Sequence, residues 1–472
     1  MRKSYNEKDI TSIFDYSKRL VNHCLRDFVP NAEETAGKGS LGQLVEELYF
    51  GYGANSRQEA DFATAGVELK CTPLKKSVGT QELLIKERLV CSMINYVEDW
   101  NKTFEESHFY QKCLVMLLMF YLHQSGASKL DLEFLFTVLW KIPEKDLLII
   151  RQDYEVIVSK IKKGEAHTLS EGDTMYLGAC RKGQKGDSLM TQHGNSVGAP
   201  RRAWSLKTAY MRRVLEEVQK HNVDGAYCNF DLPKSEVDAL FSIDELRNSS
   251  VDEILLDRFA KFRGKRYSEI SKILDVNPIT SKAKLFILAN AIASNKNKKV
   301  SNVNQTEEFI KSGLTMKTIR VNKYGTIKES MSFENIDYQE VLDCSEWTDS
   351  RLYELFSSRF LFVVYRETDN MLTLQNEKQE AEYQLDKVGF WTMSQKDLEV
   401  AEEYWRNIRQ CVIENHIDSK YFWKLESDRN FHVRPKAAVA ADLTPNPNGG
   451  MAKKFCYWFN AKYVKKIVDN EL

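Results

Sequence analysis

The chain has 472 residues, and its 67 Lys and Arg balance 67 Asp and Glu, so the formal net charge is zero. At 43% hydrophobic, 11% aromatic and 28% charged it reads as globular, and the length predicts two or three domains rather than one core. No apolar run reaches the length of a bilayer span, and Met1 to Asn6 lead into "EKDITSIF" instead of an apolar signal region, so a cytoplasmic location without membrane contact is expected. Nine cysteines stand singly, with no Cys-x-x-Cys, which argues against a disulfide framework and a structural zinc site. Neutral charge leaves any affinity for nucleic acid to local basic patches.

In chain order, Glu7 to Phe28 read as a helix, and "LGQLVEELYFG" sets Leu41, Leu44, Val45 and Leu48 at helical spacing before Gly51 and Gly53. Phe62 to Pro73 is short and strand-like, while "KCLVMLLMFYLH" (Lys112 to His123) is a dense apolar run that fits either a buried strand or a helix segment. Apolar density falls between Asp231 and Ser250, which predicts a boundary there and domains over residues 1–233 and 234–472. A second polar stretch, Ser294 to Gln305, reads as a loop inside the later domain.

The two halves resemble each other in fixed order, the mark of a duplicated unit. "DFATAGVELK" (Asp61 to Lys70) aligns with "EEFIKSGLTMK" around Glu308 to Lys317, keeping Phe, Gly and Lys in step. "IKERLVCSMINY" (Ile85 to Tyr96) aligns with "IKESMSFENIDY" (Ile327 to Tyr338), "QKCLVMLLMFY" with "SSRFLFVVY" (Ser357 to Tyr365), and "AWSLKTAYMRRVL" (Ala203 to Leu215) with "CYWFNAKYVKKIV" (Cys456 to Val468). The expected fold class is α/β in the mixed α+β sense, as a tandem pseudo-repeat with a mixed central sheet flanked by helices in each copy.

Residues two apart on a strand share a face, so Glu68 and Lys70 emerge together while Val67 and Leu69 point inward. Asp61 lies far enough upstream to fold back beside Glu68. Paired carboxylates repel unless a cation lies between them, and Mg²⁺, which takes oxygen ligands and completes its shell with water and phosphate oxygens, is the natural one. A neighbouring lysine then orients water and offsets developing charge, the logic of phosphodiester hydrolysis. The plain alternative is a solvated charged strand face. In the second copy Glu308, Thr315 and Lys317 stand at the places of Asp61, Glu68 and Lys70, so one acid has become a hydroxyl. That contrast predicts a copy that cuts and a copy that only binds.

"GQLVEELYFG", "DFATAGVELKCTPL", "FEESHFYQKC" (Phe104 to Cys113), "LSEGDTMYL" (Leu169 to Leu177) and "WSLKTAY" (Trp204 to Tyr210) resemble the MutH-type nucleases. That family comprises the mismatch-repair nicking enzyme and the related GATC-specific type II restriction endonucleases. "SVDEILLDRFAKFRGKRYSEISKIL" (Ser250 to Leu274) is similar to the family's opening helices, and "HVRPKAA" (His432 to Ala438) to its DNA-contacting loop. The resemblance implies two PD-(D/E)xK domains, with Asp61 and Glu68 as metal ligands, Lys70 as the water-activating lysine, Mg²⁺ as cofactor and GATC-containing duplex DNA as partner. It implies a further helix carboxylate at Glu46, with Glu47 competing for the role, and brings Lys112 or Leu114 to a family lysine position. Contacts to DNA are expected from Arg181, Lys182, Lys185 and Lys207 in the first copy and from Arg434 and Lys436 in the second. The implied activity is double-strand cleavage, through a transient dimer and looping between two sites, with the second domain as allosteric effector. A strand-specific nickase and a non-catalytic DNA-binding protein are the alternatives.

Overall fold

The computed structural model describes residues 4–33, 40–52, 59–77, 81–183, 186–230, 239–276, 283–297, 300–373, 379–436 and 442–472. The chain divides into two compact units, Met1–Glu236 and Val237–Leu472. Among the described residues no helix is long and apolar enough to cross a membrane.

The strands of the first unit are β1 (Glu68–Lys76), β2 (Leu83–Ile85), β3 (Leu89–Met93), β4 (Val115–Leu122), β5 (Phe134–Lys141), β6 (Leu177–Arg181), β7 (Met190–Gln192), β8 (Asn195–Ala199), β9 (Arg202–Leu206) and β10 (Ala226–Cys228). Its central sheet has the order β10-β5-β4-β1-β2, with β1 parallel to β4 and β4 antiparallel to β5. A second sheet, β3-β9-β6, is antiparallel throughout, and β7 and β8 form a hairpin beyond it. The ambiguous run Val115–Leu122 is a strand. It is buried at Met116 to Phe120 without a break, as expected of a strand covered on both faces.

The second unit repeats this plan with β11 (Thr315–Val321), β12 (Met331–Asn335), β13 (Arg359–Thr373), β14 (Gln379–Thr392), β15 (Phe431–Pro435), β16 (Leu443–Pro445), β17 (Met451–Lys453) and β18 (Phe455–Phe459). Here β11 runs parallel to β13, β13 antiparallel to β14, β12-β18-β15 form the antiparallel sheet and β16-β17 the hairpin. Helices recur too: His108–Cys113 and Arg351–Ser357 each start on a serine that accepts from the N–H three residues on, and Glu144–Lys162 and Gln395–Ile413 are both 19 residues long. Glu68 and Thr315 open their strands, and Lys70 and Lys317 hold the third position.

Two helix expectations change. Glu7 to Phe28 is not one helix but two, Ile10–Lys18 and Leu25–Phe28. Between them Val21 bridges Phe134, the Asn22 N–H donates to the Phe134 carbonyl at 2.7 Å, and Asn22 adopts a φ of 60°. Pairing with the end of β5 therefore overrides local helix preference. The Leu41 pattern forms an α-turn, Leu41–Leu44, that widens into a π-helical stretch, Val45–Phe50, ending on left-handed Gly51; Gly53 lies outside the described residues.

Candidate active site

The turn Asp61–Val67 folds the chain back onto the start of β1. Phe62 bridges Val67, the Gly66 N–H donates to the Phe62 carbonyl at 2.8 Å, and Gly66 takes a φ of 66° that a side chain would strain. Asp61 and Glu68 then bind each other's backbone reciprocally. The Leu69 N–H donates to Asp61 Oδ2 at 2.9 Å and the Asp61 N–H to Glu68 Oε2 at 3.2 Å. Glu68 is only 2% exposed, and its other oxygen, Oε1, receives Lys70 Nζ at 2.8 Å and lies 3.6 Å from Lys112 Nζ.

The electrostatics follow from this crowding. Burial, and then the neighbouring Glu68 charge, push the Asp61 carboxyl up to about 6, against the Leu69 N–H and the charges of Lys70 and Lys112. Glu46, on the π-helical stretch, is pushed up to about 7 by burial and then by Asp61, with smaller contributions from Glu68 and Glu47. Glu46 is half-buried, whereas Glu47 is exposed, so it is Glu46 that faces the pair. Burial pulls the Lys70 ammonium down, but Glu68 and the hydrogen bond to it outweigh this and hold Lys70 above its ordinary value.

Two residues join this cluster beyond the triad and Glu46. Lys112 lies in the last turn of the helix His108–Cys113 just before β4, and β4 lies directly beside β1, so its ammonium reaches Glu68 and the rival Leu114 does not. Tyr52 had no signal in the sequence. Its buried hydroxyl lacks a hydrogen-bond partner among the described residues, and the charges of Asp61 and Glu46 act on it.

Oxygen donors of this kind suit a hard divalent cation, and the orphaned Tyr52 hydroxyl beside them calls for water or a ligand oxygen. Among the described residues no group of three or more His, Cys, Asp or Glu side chains is placed to hold a metal ion by itself. A cation here would therefore complete its shell with water and substrate oxygens, which is how Mg²⁺ is usually held.

Of the remaining expected residues of the first unit, Arg181, Lys182 and Lys207 lie at or just beyond the ends of β6 and β9. Arg181 ends β6 exposed, and the Lys182 N–H donates to the Arg201 carbonyl at 2.8 Å; Lys185 lies outside the described residues. Lys207 is turned inward, its ammonium donating to the Thr174 carbonyl. Close by, Asp153 accepts from the Met175, Tyr176 and Leu177 N–H groups and fixes the approach to β6. Burial, offset in part by Lys207, raises Asp153 to about 6. Of the histidines, His193 stacks on Trp100 at 4.0 Å and His167 faces the Gln192 amide, both packing roles.

In the second unit Arg434 is exposed, its guanidinium 5.1 Å from the centre of the Trp458 ring, and Lys436 Nζ donates to the Phe333 carbonyl at 2.9 Å. The strand registers give the equivalences. Leu177 pairs with Leu206 where Phe431 pairs with Phe459, and Lys182 N–H meets Arg201 where Lys436 N–H meets Lys454. Arg434-Pro435-Lys436 thus matches Cys180-Arg181-Lys182, so a buried cysteine stands at the place of Arg434.

Alongside this duplicated mixed sheet, with a buried Asp-Glu-Lys cluster on its first copy, the sequence is similar to MutH-like nucleases. The family model for the DNA mismatch repair enzyme MutH matches residues 50–153, which include Asp61, Glu68, Lys70 and Lys112. The chain is 28% identical to the type II restriction enzyme Sau3AI of Staphylococcus aureus over 98% of both chains. It is also similar to the MutH mismatch repair proteins of Shewanella amazonensis, at 27% identity over 38% of this chain and 79% of that one, and of Yersinia enterocolitica, at 26% over 37% and 75%.

Proposed function

We propose that the chain is a type II restriction endonuclease, a site-specific deoxyribonuclease that cuts duplex DNA at GATC through its first unit. The observation that carries this reading is the Asp61-Glu68-Lys70 cluster on β1, in a chain that aligns end to end with a restriction enzyme. In this reading Asp61 and Glu68 hold Mg²⁺, with Glu46 as the further carboxylate. The cation would supply Lewis-acid polarisation of a phosphoryl oxygen and acidify water nearby. Lys70, an ammonium in this setting, donates hydrogen bonds to water or phosphate and offsets the charge that grows during displacement. Lys112 adds a second positive charge on the same side. Arg181, Lys182, Lys185 and Lys207 would position or read the duplex.

The described residues of one chain carry one such acid cluster, so cutting both strands requires two chains meeting on DNA or two sequential nicks; we favour a transient dimer. The second unit would bind another GATC site through Arg434 and Lys436 and act as effector, with DNA looping between the two sites. Digestion of a sequenced plasmid with Mg²⁺, followed by mapping of the ends, tests site and strand count together. Linear product with ends at GATC is expected from the parent and none from Asp61→Ala, which should still bind. Absence of cleavage by the parent protein would sink the proposal.

A further inference from the structure

The second unit keeps the lysine of the cluster and has lost or diverted its acids. Thr315 replaces Glu68 at the start of β11. Glu308 is 1% exposed and its carboxylate accepts from the N–H groups of Leu240 at 3.1 Å and Phe241 at 3.3 Å. It caps the backbone of Leu240 and Phe241.

Lys317 instead points its ammonium at β12. Nζ donates to the Ser332 carbonyl at 3.0 Å and lies 5.1 Å from the centre of the Phe333 ring. Lys436 arrives from the end of β15 and donates to the next carbonyl, Phe333, and to Ser332 Oγ at 3.3 Å. Two ammonium groups therefore sit on consecutive residues of one strand. Glu334, the nearest acid, is held by Arg351 through both oxygens at 2.7 and 2.9 Å. Cys456 donates its S–H to the Phe333 carbonyl. Arg434, exposed on β15 two residues before Lys436, adds a further positive charge nearby in the chain.

We propose that Lys317 and Lys436 form a metal-free anion seat that takes one backbone phosphodiester of duplex DNA on the second unit. The inference rests on the reading that the second unit binds DNA, and specifies how. Each ammonium carries three donors, and the contacts above leave some for an anion. The charge balance asks for one, since like charges this close are costly without a counter-ion. Burial, then Lys436, pull Lys317 down to about 8, partly against Cys456 and Glu334, as befits a cation awaiting an anion. The position favours phosphodiester over other anions, because Lys317 occupies on β11 the place that Lys70 occupies on β1 beside the proposed scissile bond.

The test uses the full chain with Asp61→Ala to prevent cutting, in excess chelator, with a GATC duplex followed by fluorescence anisotropy across a salt series. The parent should bind without metal. Lys317→Met should weaken binding roughly tenfold and reduce the slope of log affinity against log salt by about one, with Lys317→Arg restoring most of both. Inorganic phosphate at fixed ionic strength should compete against the parent and much less against Lys317→Met, which separates an anion seat from a loss of folding. If Lys317→Met binds as the parent does while Arg434→Ala weakens binding, the second unit holds DNA but not through this seat, and the inference falls alone. If neither substitution has any effect, the reading of the second unit as a DNA-binding unit falls with it.

Discussion

Glu46 and Asp61 carry carboxyls pushed up to about 7 and about 6, so in the metal-free protein each binds its proton more tightly folded than unfolded. That contribution to stability is present below the ordinary carboxylate range and is lost as pH rises through about 6 to 7. In chelator, the melting temperature should therefore fall between about pH 5.5 and about pH 8, and Mg²⁺, by neutralising the charged form, should shrink the fall. Cleavage at limiting Mg²⁺ should rise through the same window as protons cease to compete; a flat rate across it would count against a metal held by these acids. Glu46→Gln should cut the rate by roughly 10²-fold and Glu47→Gln leave it near the parent value, a comparison read from initial rates on one substrate. Lys70→Met should cost roughly 10²–10⁴-fold while leaving duplex binding in place. Spacing alone left Asp61, Glu68 and Lys70 readable as a solvated strand face, and it was the contrast with Glu308, Thr315 and Lys317 together with the MutH-type resemblance that singled them out. Tyr52 was not legible in the sequence, because nothing in an isolated tyrosine foretells that a π-helical turn will bring its hydroxyl beside two carboxylates.

The repeated strands were readable because each pairs β-rich sequence with a neighbour of the same order: β1 beside β4, β11 beside β13. Short segments that depend on distant partners were not. The break after Lys18 exists because Val21 and Asn22 pair with Phe134, a contact made 113 and 112 residues away that leaves no local mark. The match between Arg434-Pro435-Lys436 and Cys180-Arg181-Lys182 likewise emerges only from strand register. Between helix Glu144–Lys162 and β6, Asp153 ties three consecutive N–H groups to the helix. Asp153→Ala strands those donors in a buried setting and should cost about 3 kcal/mol, measured as a shifted urea midpoint for the first unfolding transition. A midpoint unchanged from the parent would show that water replaces the carboxylate.

For the whole chain, the balanced formal charge hides local asymmetry: acids gather beside β1, while Lys317, Lys436 and Arg434 gather beside β12 and β15. If the second unit is an effector, a plasmid with two GATC sites should be cut faster than one with a single site at limiting enzyme, and equal rates would remove the effector role. Substitution at Arg434 should erase that difference while sparing the basal rate on the single-site plasmid.

The burial of Glu308 also bears on how such a chain can change over generations. A duplicate that has merely lost an acid could regain it by one substitution. Here the surviving acid has been recruited to cap Leu240 and Phe241, so freeing it would unfasten the start of its own unit before any benefit returned. Thr315→Glu alone should therefore fail to rescue cleavage in an Asp61→Ala background, an outcome readable on a gel. If one copy cuts and the other only binds, that division of labour is a ratchet, held by folding stability as much as by selection on activity.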